Sequence, residues 1–264
     1  MIVDAHCHAS DVWFEPAETL LFQMDAHGVA VGVLTQVLGQ YDNSYQAACL
    51  TRWPGRFVSV AAVDPAAAGA LEAVRSLSDA GAKGIRLRPD ARSGGADPYA
   101  VWAAASEAGL VVSCGGPAST ILSPDFAVLV EHFPGLTIVL EHLGGWSRPD
   151  CDRSETTRGG IKALARFPNI HLKVPALGQL ATRDPLLPSS GRTLSLEPGV
   201  IVIEMLQAFG AERLMWGSDF PPVASREGYA NALNWTRALF AGEPPEVAEL
   251  VFGGVARRVF SIPG

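Results

Sequence analysis

The sequence predicts a (β/α)8 TIM barrel, an α/β fold in a single domain over residues 1–264. Three observations carry this reading. Eight short apolar runs rich in Val, Ile and Leu recur along the chain, and most are nearly continuous, as parallel strands buried on both faces should be. Segments with helical spacing separate them, and parallel strands require such crossovers. The alternation repeats eight times, as the roughly 250 residues of a barrel allow. A doubly wound open sheet would favour fewer strands and a glycine-rich first turn. Here the first strand ends in His-Cys-His instead.

The strands are expected at 2–5, 30–34, 57–63, 84–87, 110–112, 137–140, 170–174 and 214–216. Helical spacing predicts helices at 17–26, 66–80, 98–108, 125–132, 159–167, 199–209 and 228–240. A further segment at 40–53 completes the count, and 245–260 adds a terminal helix. Breakers close three of them: Gly28 after His27, Gly81 after Ala80, and Pro134-Gly135 after Phe133. The longest irregular stretch, 177–198, follows strand seven and contains Pro185, Pro188, Ser189, Ser190 and Gly191. Loops of that length are uncommon unless functional or disordered, and this one falls where a lid would sit.

Composition excludes several classes of function. With 48% hydrophobic and 18% charged residues, the chain can bury a large core. A net charge of −7 argues against nucleic-acid partners and against a basic membrane-binding patch. No apolar run approaches the roughly 18 residues of a membrane span. The start, MIVDAHCH, puts charged and polar residues where the apolar region of a secretory signal would lie. Cys7, Cys49, Cys114 and Cys151 show no CxxC pairing, which leads us to expect a reduced, cytoplasmic protein.

Barrel active sites lie at the C-terminal ends of the strands. Strand one ends in Asp4-Ala5-His6-Cys7-His8, and side-chain alternation turns His6 and His8 the same way. Strand four ends in Arg86-Leu87-Arg88, strand six in Glu141-His142 and strand eight in Ser218-Asp219. Three imidazoles and a carboxylate from three strands form a metal or acid–base constellation.

In these pieces the chain resembles the amidohydrolase superfamily, in particular the amidohydrolase-related branch of aromatic-acid decarboxylases and sugar- or dicarboxylate-lactonases. VDAHCH, GIRLR, TIVLEHLGG, NIHLKV and RLMWGSDFP fall in order on strands one, four, six, seven and eight. VFGGVARRVF resembles the closing helix, with Val255 where an Asn is usual. The resemblance implies His6, His8 and Asp219 as ligands of a divalent metal such as Zn²⁺. It makes His142 a nearby acid–base or polarising residue. Metal-binding relatives carry a further His at the end of strand five, where this chain has Ser113. Cys114 could substitute as a softer ligand, or the reaction could proceed without metal, as in some lactonases of the branch. On the metal-binding reading, Ser113→His should raise metal occupancy.

The expected function is hydrolysis of a small cyclic ester, with Asp219 taking a proton from water and His142 assisting at the oxyanion or leaving oxygen. Arg86, Arg88, Ser113 and Trp146 are the expected substrate contacts, for a small anionic or polyol molecule. Arg86 could equally hold a structural carboxylate such as Asp64 or Glu141. Lys173 could touch substrate or pair with a buried carboxylate. His27 and His132, at helix ends, read as structural, and Trp13 could wall the pocket. Two other functions fit the same residues: non-oxidative decarboxylation of an aromatic or unsaturated acid, and a degraded barrel that only binds a ligand. The resemblance also suggests a homodimer.

Overall fold

The computed structural model describes residues 1–181 and 199–264. Much of the expected lid, 182–198, therefore lies outside the described residues. Eight parallel strands form one sheet in sequence order: β1 (Ile2–Cys7), β2 (Val29–Thr35), β3 (Phe57–Ala62), β4 (Gly84–Leu87), β5 (Val111–Cys114), β6 (Ile138–Leu140), β7 (Ile170–Val174) and β8 (Leu214–Trp216). β8 returns to β1 just past its last residue: Asp219 N donates to His6 O (2.8 Å) and His8 N to Phe220 O (2.8 Å). This is the TIM barrel that the sequence predicts, closed at the end where the histidines sit.

The crossovers are α1 (Ala17–Ala26), α2 (Ser44–Arg52), α3 (Ala70–Asp79), α4 (Ala100–Glu107), α5 (Ala118–Ile121), α6 (Pro124–His132), α7 (Glu155–Ala163), α8 (Val200–Phe209) and α9 (Tyr229–Leu239). α1 shows why these segments are helical and inward-facing. Leu20, Leu21 and Met24 recur on one face and are buried, each such side chain contributing roughly 1.5–3 kcal/mol. Gly28, at φ 69°, then turns the chain into β2. α6 starts where Ser123 Oγ accepts from Phe126 N (3.2 Å) and Pro124, lacking an N–H, needs no acceptor. α7 begins four residues before the expected 159, because Ser154 caps it by accepting from Thr157 N (3.1 Å). The expected helix at 245–260 is interrupted: α10 (Pro245–Glu249) and α11 (Val255–Val259) flank a π-turn at Leu250–Gly254. A side chain at Gly253 would collide with Met1 O, so this turn packs directly on the start of β1.

Side chains alternate between two buried layers. Ile85, Leu87, Val112, Cys114, Ile138, Leu140, Leu172 and Trp216 face the helices. Val3, Ala5, Val31, Val33, Val60, Val111, Val139 and Met215 fill the barrel. Val255, Ala256 and Phe260 of the closing helix join that inner cluster. Position 255 is thus fully buried among apolar side chains, which gives the valine there a physical reason. One irregularity positions the site. Between Asp4 and Cys7, β1 advances three residues while β2 advances two, from Gly32 to Leu34. The extra residue breaks the alternation. Ala5 therefore stays in the barrel core, Cys7 packs toward the helices, and His6 and His8 both turn to the barrel mouth.

Candidate active site

His6, His8, His142 and Asp219 meet at the C-terminal mouth. The His6 and His8 rings are 4.8 Å apart and the His6 and His142 rings 5.0 Å apart, both edge to face. Asp219 Oδ1 lies 3.4 Å from His8 Nε2 and 3.8 Å from His6 Nε2. Two of these residues occupy strained backbone: His142 has φ 53° and Asp219 φ 57°, in the left-handed region that non-glycine residues rarely enter. Gly217 gives His6 its space, since a Cβ there would lie 2.5 Å from His6 Cβ. Gly217→Ala should therefore displace His6 and cost about 1–3 kcal/mol of stability by overpacking. Urea denaturation checks this, and an unchanged midpoint would show that the seam is slack.

Gln179, which no sequence pattern singles out, ties the catalytic candidates together. Its amide nitrogen donates to Asp219 Oδ2 through a short contact, while its Oε1 accepts from His142 Nδ1 (3.0 Å) and Ser147 Oγ (3.0 Å). His142 thereby carries its ring proton on Nδ1 and presents a lone pair at Nε2. Arg226, also unforeseen, lies 3.3 Å from Asp219 Oδ2. Burial would raise the Asp219 carboxyl, but His8, His142 and Arg226 outweigh it and hold it below the usual carboxylate range. Burial lowers His142, against the opposing pull of Asp219 and Glu141, which favours the neutral ring.

Beneath the histidines lies a buried polar layer. Arg86 donates to Glu141 through Nε (2.9 Å) and Nη2 (2.6 Å), and through Nη1 to Gln36 O (2.8 Å). The guanidinium is thus committed to the structural carboxylate Glu141, one of the two partners open to it from sequence. Ser113 Oγ donates to Glu141 Oε1 (2.7 Å) and accepts from Lys173 Nζ (2.9 Å). Lys173 Nζ also reaches His6 Nδ1 at 2.9 Å. Burial pulls the Lys173 ammonium down to about 8, against the raising effect of Glu141. Glu141 is held far below its ordinary value: burial would raise it, but Arg86 and Lys173 prevail.

The remaining expected residues are less central. Arg88 is exposed and pairs with Asp90 (3.1 Å), and Trp146 is half-buried after β6. Cys114 faces the helix layer, away from Ser113, so it cannot supply the softer ligand considered above. Among the described residues, one cavity is lined by His8 and another by Asp219. One, of about 730 Å³, is walled by His8, Trp13 and Phe14, with Phe14 stacked on His8 at 5.3 Å. The other, of about 430 Å³, is lined by His142, Asp219, Arg148, Arg153 and Arg226.

Among the described residues, two groups could offer ligand atoms to a metal ion: His6, His8 and Asp219, and His6, Glu141 and His142, each set within 4.8 Å. Their chemistry fits such an ion only in part. His8 Nδ1 lies 2.6 Å from Thr35 O, a pure acceptor, so in the neutral ring Nε2 has the lone pair that a ligand needs. At His6 the polarity runs the other way, because the neighbour of Nδ1 is the Lys173 ammonium. Glu141 is already committed to Arg86 and Ser113. As a three-donor set, the side chains do not fit.

L-fucono-1,5-lactonase of Burkholderia ambifaria is 33% identical over 147 residues, which is 53% of this chain and 46% of that protein. The match therefore spans about half of each. An amidohydrolase from Burkholderia multivorans with bound HEPES superposes with a TM-score of 0.82 at 20% identity, covering all of both chains. A second crystal form of it contains zinc (TM-score 0.80, 19% identity, all of both chains). A putative 2-pyrone-4,6-dicarboxylic acid hydrolase from Pseudomonas putida gives 0.76 at 24% identity, covering 100% of this chain and 98% of that one. 2,6-Dihydroxybenzoate decarboxylase from Rhizobium gives 0.68 at 18%, covering 100% and 99%. These structural likenesses show the fold. The amidohydrolase family model matches residues 3–262, and the chain belongs to that family.

Proposed function

We propose that the protein hydrolyses a lactone, a small cyclic ester. The observation that carries this reading is the Gln179 bridge, which sets an ionised Asp219 beside a neutral His142 at a cavity floor. A carboxylate kept charged and an imidazole kept neutral suit the two halves of ester hydrolysis. A water in contact with Asp219 Oδ1 loses a proton to it as its oxygen bonds to the carbonyl carbon. The carbonyl electron pair moves onto its oxygen, and collapse of the tetrahedral intermediate breaks the ring C–O bond. The proton passes to the leaving oxygen with His142 Nε2 as relay. The product is a hydroxy acid, which ionises to release one proton per ring opened.

The substrate class remains that expected from sequence, a small polyol or anionic molecule. Trp13 and Phe14 offer stacking surface on one side, and the arginines offer hydrogen-bond donors on the other. The likeness to a curated lactonase supports the same choice. A panel of aldonolactones and carboxylated lactones, followed with a pH indicator, tests it: the expected result is proton release without CO2. CO2 evolution from a hydroxybenzoate-like acid, with every lactone inert, would replace hydrolysis by decarboxylation.

A further inference from the structure

The two strand-one imidazoles are held with opposite polarity. His8 gives its Nδ1 proton to Thr35 O at 2.6 Å, and its Nε2 lies 3.4 Å from Asp219 Oδ1. His6 Nδ1 faces Lys173 Nζ at 2.9 Å. An ammonium has three donors and no acceptor, so this bond runs from Lys173 to His6. Nδ1 then holds the lone pair, and the ring proton of neutral His6 sits on Nε2. That atom is buried and has no hydrogen-bond partner among the described residues, with Asp219 Oδ1 at 3.8 Å. A buried donor left unsatisfied is costly, and one aimed at a reaction centre awaits an acceptor.

The opposite tautomer needs an acceptor at Nδ1, usually a carboxylate or carbonyl. Glu141 Oε1 is 4.0 Å away and already receives Ser113 Oγ and Arg86 Nε. Lys173 is itself held by Ser113 Oγ at 2.9 Å, which keeps Nζ on His6. Ser113 thus belongs to the device that orients His6.

We propose that Lys173 is a positioning residue that fixes His6 as its Nε2–H tautomer, so that the centre presents an imidazole donor to the substrate's carbonyl oxygen rather than a third nitrogen ligand to a metal ion. The identity of that acceptor rests on the hydrolytic reading; the tautomer does not. As water adds to the carbonyl carbon, the oxygen that gains the electron pair takes the His6 Nε2–H bond, without proton transfer from His6. The bond from Lys173 keeps the ring oriented while charge develops, which is the preorganisation that oxyanion stabilisation requires.

Long-range 1H–15N correlation spectra of histidine-labelled protein test this, with His6 assigned from His6→Gln. The expected result is a proton on Nε2 of His6 and on Nδ1 of His8; a proton on His6 Nδ1 overturns the proposal without any variant of Lys173. Zinc affinity, read by competition with a chromophoric chelator, is the second measurement. Lys173→Met frees His6 to turn its lone pair outward and should tighten zinc binding about 10- to 100-fold, the usual scale of outer-shell effects. Lys173→Arg keeps a donor at Nδ1 and should leave affinity near the parent's. Equal or weaker binding by a folded Lys173→Met, or stoichiometric zinc in the parent with His6 as ligand, would overturn it. Neither measurement uses lactone turnover, so failure of the hydrolytic reading is a separate result.

Discussion

Asp219→Asn should reduce kcat/KM for the lactone substrate by about 10³-fold, within the 10²–10⁴ that a positioned base contributes. Asparagine keeps the size of the side chain but loses the charge that makes it a proton acceptor. It also places an amide among groups arranged for a carboxylate. The Gln179 amide and the Arg226 guanidinium both point donors at Oδ2, so one orientation of the asparagine sets its NH2 against them. The fold should survive, because Asp219 N still donates to His6 O across the barrel seam. Steady-state kinetics beside a thermal unfolding curve is the measurement. Activity within a few-fold of the parent, at unchanged stability, would move the base elsewhere, with His8 Nε2 the first place to look.

The barrel was legible because its signal is repetitive: eight continuous apolar runs cannot be mistaken one by one without breaking the series. Three strands match their expected bounds, 84–87, 170–174 and 214–216. Misses cluster where one side chain, rather than periodicity, sets a boundary. Ser154 starts α7 earlier than its apolar face begins, and the short α5 is too brief for periodicity to reveal. His6 and His8 do face the same way, though alternation alone was an incomplete reason. The extra residue in β1 places them there, and a bulge leaves no mark in apolar spacing.

The candidate site was legible where strand ends supply it and illegible where loops do. His6, His8, His142 and Asp219 stand at the ends of strands, so topology alone brings them together. Gln179 and Arg226 come from the segments after β7 and β8, and a lone Gln or Arg in a loop carries no pattern. Ser113 illustrates a subtler limit. Read singly, it is a missing ligand, and a histidine there should restore one. In the structure it is fully buried between Glu141 and Lys173. An imidazole at 113 has to displace that pair before it can reach a metal, a cost invisible without the neighbours.

Arg86→Met should cost about 3–5 kcal/mol of stability, the usual penalty for leaving one member of a buried ion pair alone. The guanidinium is buried, and Glu141 retains the Ser113 hydrogen bond and the more distant Lys173 charge once its bonds to Arg86 are gone. Methionine fills much of the arginine stem's volume, so lost packing contributes little. The pH dependence follows from the same pair. A carboxyl whose folded value is depressed adds stability that is present above its unfolded value and lost as pH falls through the folded one. Glu141 is depressed despite its burial because of Arg86 and then Lys173, so the parent should keep this contribution into strong acid. Without Arg86, burial dominates, and the variant should begin losing stability at a higher pH. Adding Glu141→Gln to Arg86→Met removes the stranded charge and should recover a good part of the loss. Urea denaturation of the parent, both single variants and the double variant, at neutral and acidic pH, measures all three effects. A loss below about 1 kcal/mol would be the behaviour of a solvated pair. If such a small loss came with a raised KM, Arg86 would belong to the substrate, as a guanidinium at a strand end had equally suggested.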